Sequence, residues 1–187
     1  LIFDAVNYII GIYDMASGVK FRAYPNTTQS ALLSCWIGCQ RFVYNSKVAE
    51  DRYFSTFLNH ALALTGLQTP VDQQYSQFKD GELTPWLLEV PSQILRNGAY
   101  RFMQAYARFF KGLSQRPSGK KKLSRQSVLI TKELFQFVPT GNTTKVNDGL
   151  VKEHRLLIGT GKFMVGELKF TAHRPYELPN SITIARH

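Results

Sequence analysis

The stretch 20–45, KFRAYPNTTQSALLSCWIGCQRFVYN, leaves a folding chain few choices. Val19, Phe21 and Ala23 alternate with Lys20, Arg22 and Tyr24, the period-2 pattern of a strand with one buried face. Pro25 stops that strand, because it has no N–H for a ladder and holds Tyr24 extended. Asn26 is a good helix cap, and Gln29 stands three residues on, where a capping-box partner belongs. Leu32, Leu33, Trp36 and Ile37 then share one helical face. Gly38 either admits a close neighbour or weakens the turn. A second helix is predicted from Arg41 to about residue 64, closed by Gly66, with Tyr44 and Asn45 in helix-packing or functional roles.

The formal net charge is +10 and the pI about 9.7, which favours a polyanionic partner over a neutral small molecule. Its location is specific. Residues 91–125 hold nine Lys or Arg and no Asp or Glu. A helix is predicted over 92–112. At about 100° per residue it places Arg96, Arg101, Arg108 and Lys111 on one arc with Asn97 and Gln104. Ile94, Leu95, Phe102, Met103, Ala105, Tyr106, Phe109 and Phe110 fill the other arc. A solvated helix ordinarily mixes charge signs at i, i+4, and this one has no acidic residue to do so. The charge continues into a loop with Pro117, Gly119, the run Lys120-Lys121-Lys122, and Arg125. These residues, with Lys20, Arg22 and Arg41, are the candidates for phosphate contacts.

Between them, Thr69-Pro70 opens a predicted third helix to Phe78 whose Gln73, Gln74 and Gln77 could equally form a solvated face or read base edges. After Gln126 the pattern turns extended. Val128–Ile130 and Phe135–Val138 read as two short strands or one bent one, and Thr140–Thr144 and Asn147–Gly149 as turns. Further strands are expected at 155–158, 162–170 and 181–186. The strand at Val19 needs partners, and these supply them. The expected class is α+β: a small β-barrel or open sheet interrupted by an inserted helical bundle. The expected division is a leader or extension of unassigned role over 1–17, the barrel over 18–25 and 127–187, the helical insert over 26–112 and a basic loop over 113–126. Cys35 and Cys39 read as two small buried side chains, since no further Cys or nearby His completes a metal site. Their i, i+4 spacing on a helix also suits no disulfide. No apolar run reaches the roughly 18 residues of a membrane span. Neither a paired-carboxylate cluster, a phosphate loop nor a Ser/His/Asp constellation is legible, so no catalytic and no metal-binding residue is assigned.

Arg22, Tyr24-Pro25-Asn26, Gln29, Leu32-Leu33, Gly38, Arg41 and Tyr44-Asn45 resemble the amino-terminal signature of the transposon-encoded TnpB/OrfB proteins, RNA-guided DNA nucleases related to type V CRISPR effectors. Pro85-Trp86-Leu87, Val90-Pro91-Ser92-Gln93 and Phe109-Phe110-Lys111-Gly112 resemble the family's next signature, in order. The aromatic residue usual between the proline and the lysine run is replaced by Ser118-Gly119. The resemblance implies a split oligonucleotide-binding-like wedge barrel carrying a recognition domain. It implies guide RNA and double-stranded target DNA as partners, in a prokaryotic cytoplasm, with no membrane. It also implies that Gln73, Gln74 and Gln77, with Gln126, Ser127, Thr131 and Lys132, read a short motif flanking the target. The family's Mg²⁺-dependent nuclease domain would follow residue 187, so the chain as given is expected to be no enzyme, and Met15 is a plausible natural start. Two other readings compete: an unguided helix-turn-helix regulator, disfavoured by a first helix without Lys or Arg over 26–39, and a scaffold for an acidic protein.

Overall fold

The computed structural model describes residues 8–13, 18–65, 74–146 and 149–186, with backbone alone at 8–13 and 57–65. The chain divides into two compact units, Leu1–Ile37 with Arg125–His187, and Gly38–Ser124.

The first unit is built on seven strands: β1 Tyr8–Tyr13, β2 Gly18–Tyr24, β3 Gln126–Thr131, β4 Phe135–Val146, β5 Gly149–Ile158, β6 Gly166–Thr171 and β7 Ser181–Arg186. Their order is β3-β7-β1-β2-β6-β5-β4, and the ladders are antiparallel. The predicted alternation on β2 is realised, with Phe21 and Ala23 buried and Lys20, Arg22 and Tyr24 exposed. Val128, Ile130, Leu156, Ile158, Leu168, Ile182 and Ile184 complete the apolar layer. Each is worth about 1.5–3 kcal/mol of burial. Phe21, Phe137, Phe170, His173 and Tyr176 form an aromatic cluster, with ring centroids 5.2 Å apart for Phe21–Tyr176 and 6.0 Å for Phe137–Phe170. Burial pushes the Tyr176 phenol up to about 12, and its hydroxyl lies 2.9 Å from His154 Nδ1.

The expected barrel does not close. β3 pairs with β7 and β4 with β5, and among the described residues no ladder joins β3 to β4. The turn Lys132–Leu134 hands the chain from one edge to the other: Lys132 N–H donates to the Asn180 carbonyl (3.1 Å), and the Leu134 carbonyl accepts from Gly159 N–H (2.8 Å). The turn expected at Thr140–Thr144 is instead absorbed into β4, as a register shift between Pro139 and Thr143. An edge strand tolerates Pro139, whose missing N–H would break a central ladder. The segment before residue 18, given no role from sequence, supplies β1 between β2 and β7.

The helix α1, Thr27–Thr65, starts as its sequence dictates. Asn26 Oδ1 accepts from Gln29 N–H (2.8 Å), and Gln29 Oε1 accepts from Asn26 N–H (3.0 Å), a reciprocal box. Gln29 Nε2 also donates to the Glu167 carbonyl (2.8 Å), tying the helix start to β6.

Two helices were expected over 26–64, and a single one forms. No proline or capping residue separates Gly38 from Arg41, and Trp36, Ile37, Cys39, Gln40 and Val43 are buried. Packing on both sides outweighs the roughly 1 kcal/mol a helical glycine costs. Of the two cysteines, Cys39 is buried as expected, but Cys35 is exposed. Of the third predicted helix, the described residues hold one turn at Ser76–Phe78; residues 66–73, including Gly66 and Gln73, lie outside the described residues, as do Asn147 and Asp148.

In the second unit α2, Ser92–Phe110, follows a turn at Pro85–Glu89 and packs on α1. A Cβ at Gly98 would stand 2.7 Å from the Gln40 carbonyl oxygen and 3.1 Å from Val43 Cβ. Gln40 Nε2 donates to the Ile94 carbonyl at 3.1 Å. Beyond the crossing, Tyr44, Val48, Phe102 and Tyr106 form a core cluster. The close approach expected at Gly38 thus occurs at Gly98, while Gly38 has nothing within 4 Å of its Cβ direction. Alanine at these two helical glycines has opposite effects. Gly98→Ala lowers stability by about 1–3 kcal/mol through overpacking, and Gly38→Ala raises it by about 0.5–1 kcal/mol. Urea denaturation midpoints of the two variants check both signs.

Candidate nucleic-acid interface

The cationic arc of α2 is real but shorter than its helical wheel suggests. Between Gln93 and Ala99 every residue is buried except Arg96. Asn97, expected beside the arginines, is buried, because the first two turns are enclosed where α2 crosses α1. Arg101 is half-buried, and Arg108 and Lys111 are exposed in the last turn, where the helix dipole favours positive charge. Phe110, expected to pack, is 72% exposed, with one face against Tyr106 at 4.9 Å.

The loop that follows is pinned at two points that the sequence did not announce. Asn45 Oδ1 accepts from Lys120 N–H (2.8 Å), and Asn45 Nδ2 donates to the Lys120 carbonyl (3.1 Å), so one amide clips the loop as a strand neighbour would. Asn45, read as a helix-packing or functional residue, thus holds a loop. Arg116 donates to Asp51 Oδ2 from Nε (3.1 Å) and Nη2 (2.9 Å) and reaches Ser55 Oγ and the Tyr106 hydroxyl. Arg116, among the nine cations of 91–125, is therefore matched by a carboxylate from outside that segment. No local spacing could have revealed a pair 65 residues apart.

Lys120 is exposed as a residue, yet its ammonium sits 4.0 Å from the centroid of the Tyr44 ring. Burial, and then the neighbouring Arg101 charge, push it down to about 8. Lys121 and Lys122 are exposed beside it, and Arg41 is half-buried on α1.

The motif-reading candidates separate. Gln74 is exposed, and Gln77 Nε2 donates to Glu50 Oε1 (2.7 Å), whose other oxygen holds the buried Lys47 at 2.9 Å. In the sheet unit, Gln126 and Ser127 are half-buried on β3, and Lys132 is exposed in the turn after it. The Thr131 hydroxyl is buried and has no hydrogen-bond partner, so it presents nothing to a base edge. Lys20 and Arg22 project from the exposed face of β2, and Arg125 is exposed before β3. Among the described residues no three of His, Cys, Asp and Glu converge as a metal site. Among them, too, no helix is long and apolar enough to cross a membrane.

Residues 15–52 match the family model of the OrfB/IS605 helix-turn-helix domain. The described part of that segment holds β2 and the first turns of α1, with no turn between two helices. A Streptomyces pristinaespiralis protein named "Putative RNA-guided DNA endonuclease" is 32% identical over 125 residues, covering 62% of this chain. The chain spans 28% of that relative's length.

The clipped lysine has a pH signature. Below about pH 8 Lys120 is protonated in both the folded and unfolded chain, and the folded state bears the cost of a desolvated, repelled charge. As pH rises from about 8 towards the ordinary value of 10.5, the folded chain releases its proton first and that cost fades. Lys120→Met removes this contribution. The expected outcome is a wild-type stability that gains on the variant between pH 8 and 10, read from paired urea titrations.

Proposed function

We propose that this chain, which matches the OrfB/IS605 helix-turn-helix family model over 15–52 and is similar to a protein named "Putative RNA-guided DNA endonuclease", is the nucleic-acid-binding part of an RNA-guided DNA endonuclease of the TnpB/OrfB kind. In this reading it holds guide RNA and the guide–target duplex through phosphates and reads a short DNA motif beside the target. The observation that carries the reading is the segregation of charge: nine cations and no acid over 91–125, mounted on α2 and the loop clipped by Asn45. Phosphate contacts position a duplex without reading its sequence. That suits a system in which RNA pairing supplies the sequence specificity.

Within the helical unit, Arg96, Arg101, Arg108, Lys111, Lys121 and Lys122 take the backbone, with Arg41 behind them. Lys120 contributes chiefly by ordering the loop. Within the sheet unit, Lys20, Arg22 and Arg125 are further phosphate ligands, and Gln126, Ser127 and Lys132 join Gln74 of the helical unit as motif readers. Strand cleavage belongs to residues other than these, in a metal-dependent nuclease domain of the parent protein.

If about six phosphates are engaged, log K against log salt has a slope of about −5 on duplex nucleic acid. Arg108→Ala with Lys111→Ala should bring the slope about 2 closer to zero. RNA recovered with the purified chain, once sequenced, identifies the guide. A slope near zero and a nucleic-acid-free preparation together would sink the reading, and tighter binding to acidic protein than to RNA would favour the scaffold alternative.

A further inference from the structure

The sheet unit contains a cavity of about 460 Å³ beside the turn that joins β3 to β4. That volume is within the about 300–1,000 Å³ typical of small-ligand sites. Its wall is apolar: Phe135 is buried at the floor, Phe137 and Leu157 stand at the side, and Met164 and Leu178 are about half exposed at the mouth (51% and 58%). Lys132, Glu133, Gln136 and Thr160 form its polar rim. Nothing in the family match, which ends at residue 52, touches it.

Two features make the cavity prebuilt. The Phe137 ring is fixed by edge contacts to His154 and Phe170, each at 6.0 Å between centroids. The opposite wall is a tight turn in which Gly159 has φ +91 and a Cβ would collide with the Phe163 carbonyl oxygen. Backbone bonds brace that turn, Gly159 N–H to the Leu134 carbonyl (2.8 Å) and Val165 N–H to the Ile158 carbonyl (2.9 Å). A hollow held open this way does not collapse when empty, so little ordering is spent on filling it.

The rim chemistry selects among occupants. An aromatic and thioether wall suits a flat, polarisable group. Lys132, on the polar lining, attracts phosphate there. The Glu133 carboxylate can accept from a base N–H. Gln136 offers a donor and an acceptor to a base edge. We propose that this cavity takes one unstacked nucleobase from a single-stranded segment, with the adjoining phosphate at Lys132. The proposal rests on the nucleic-acid reading above and adds to it a base-holding site in the sheet unit.

The test uses the 187-residue chain with a 12-nucleotide oligouridylate carrying one 4-thiouridine, a matching oligomer with one abasic position, and a 12-base-pair RNA duplex. Ultraviolet cross-linking and peptide mapping should place the adduct within 132–137, 157–164 or 178–179. Met164→Ala and Leu178→Ala alter only the mouth and conserve charge. Each should weaken single-strand binding about fivefold or more and leave duplex affinity unchanged. Circular dichroism confirms that both variants fold. Adducts elsewhere, variants that bind like wild type, or equal affinity for the abasic oligomer would overturn the cavity proposal while leaving the phosphate grip intact. Failure of the wild-type chain to bind any of the three nucleic acids would overturn both, and an apolar peptide competing for the mouth better than the oligomer would reassign the cavity to protein.

Discussion

The Gln40 carbonyl of α1 comes within 2.7 Å of where a side chain at position 98 would begin, and only a residue without Cβ admits that approach. This crossing encloses the first two turns of α2, which is why Gln93, Ile94, Leu95, Asn97 and Ala99 are buried and Arg96 alone among them faces solvent. Farther along α2 the contact with α1 passes to Tyr44, Val48, Phe102 and Tyr106. The enclosure relaxes there, and Arg108 and Lys111 emerge. The charge pattern of the helical unit is thus a consequence of packing. Enclosure has a cost at Gln93, whose two side-chain polar atoms are buried without a hydrogen-bond partner, a penalty on the order of 1–3 kcal/mol.

The cations held there are in mutual tension. Arg101 contributes to pushing Lys120 down to about 8, and Asn45 holds the loop backbone in place against that repulsion. Tyr44 offers the ammonium a ring face, a partner worth about 0.5–2 kcal/mol that brings no negative charge. Arg116 is neutralised by Asp51, and that pair anchors the loop nearer its start. A loop fixed at both points while carrying Lys121 and Lys122 exposed is an ordered display of charge. Ordering before binding lowers the entropy that a polyanion must otherwise overcome.

Local rules made much of this legible. β2, the reciprocal box of Asn26 and Gln29, α2 and the bounds of β7 follow from alternation, capping and periodicity, each acting over a few residues. What escaped the sequence depends on contacts between distant segments. α1 runs through Gly38 because its neighbours are buried on both sides, and β4 runs through Thr140–Thr144 because β5 supplies a ladder past a bulge. β1 is a strand because β2 and β7 flank it, and its lack of Lys or Arg is then the composition of a central strand. The wheel that placed Asn97 outside and Phe110 inside knew the helix but not its neighbour. The Arg116–Asp51 pair and the cavity walls were out of reach for the same reason.

Gripping a backbone and holding a base make different demands on a surface. Phosphate needs charge in roughly the right place, and long flexible side chains supply it with little precision. A base needs polar and flat groups fixed to within a fraction of an ångström. The exposed cations of α2 and its loop meet the first demand. The second is met poorly by Gln77, already bonded to Glu50, and by Thr131, whose hydroxyl is buried. It is met far better where Phe137 is locked by its aromatic neighbours and Gly159 braces the facing wall. Beside the motif readers of β3, rigidity favours the turn joining β3 to β4 as the place where the sheet unit holds a base.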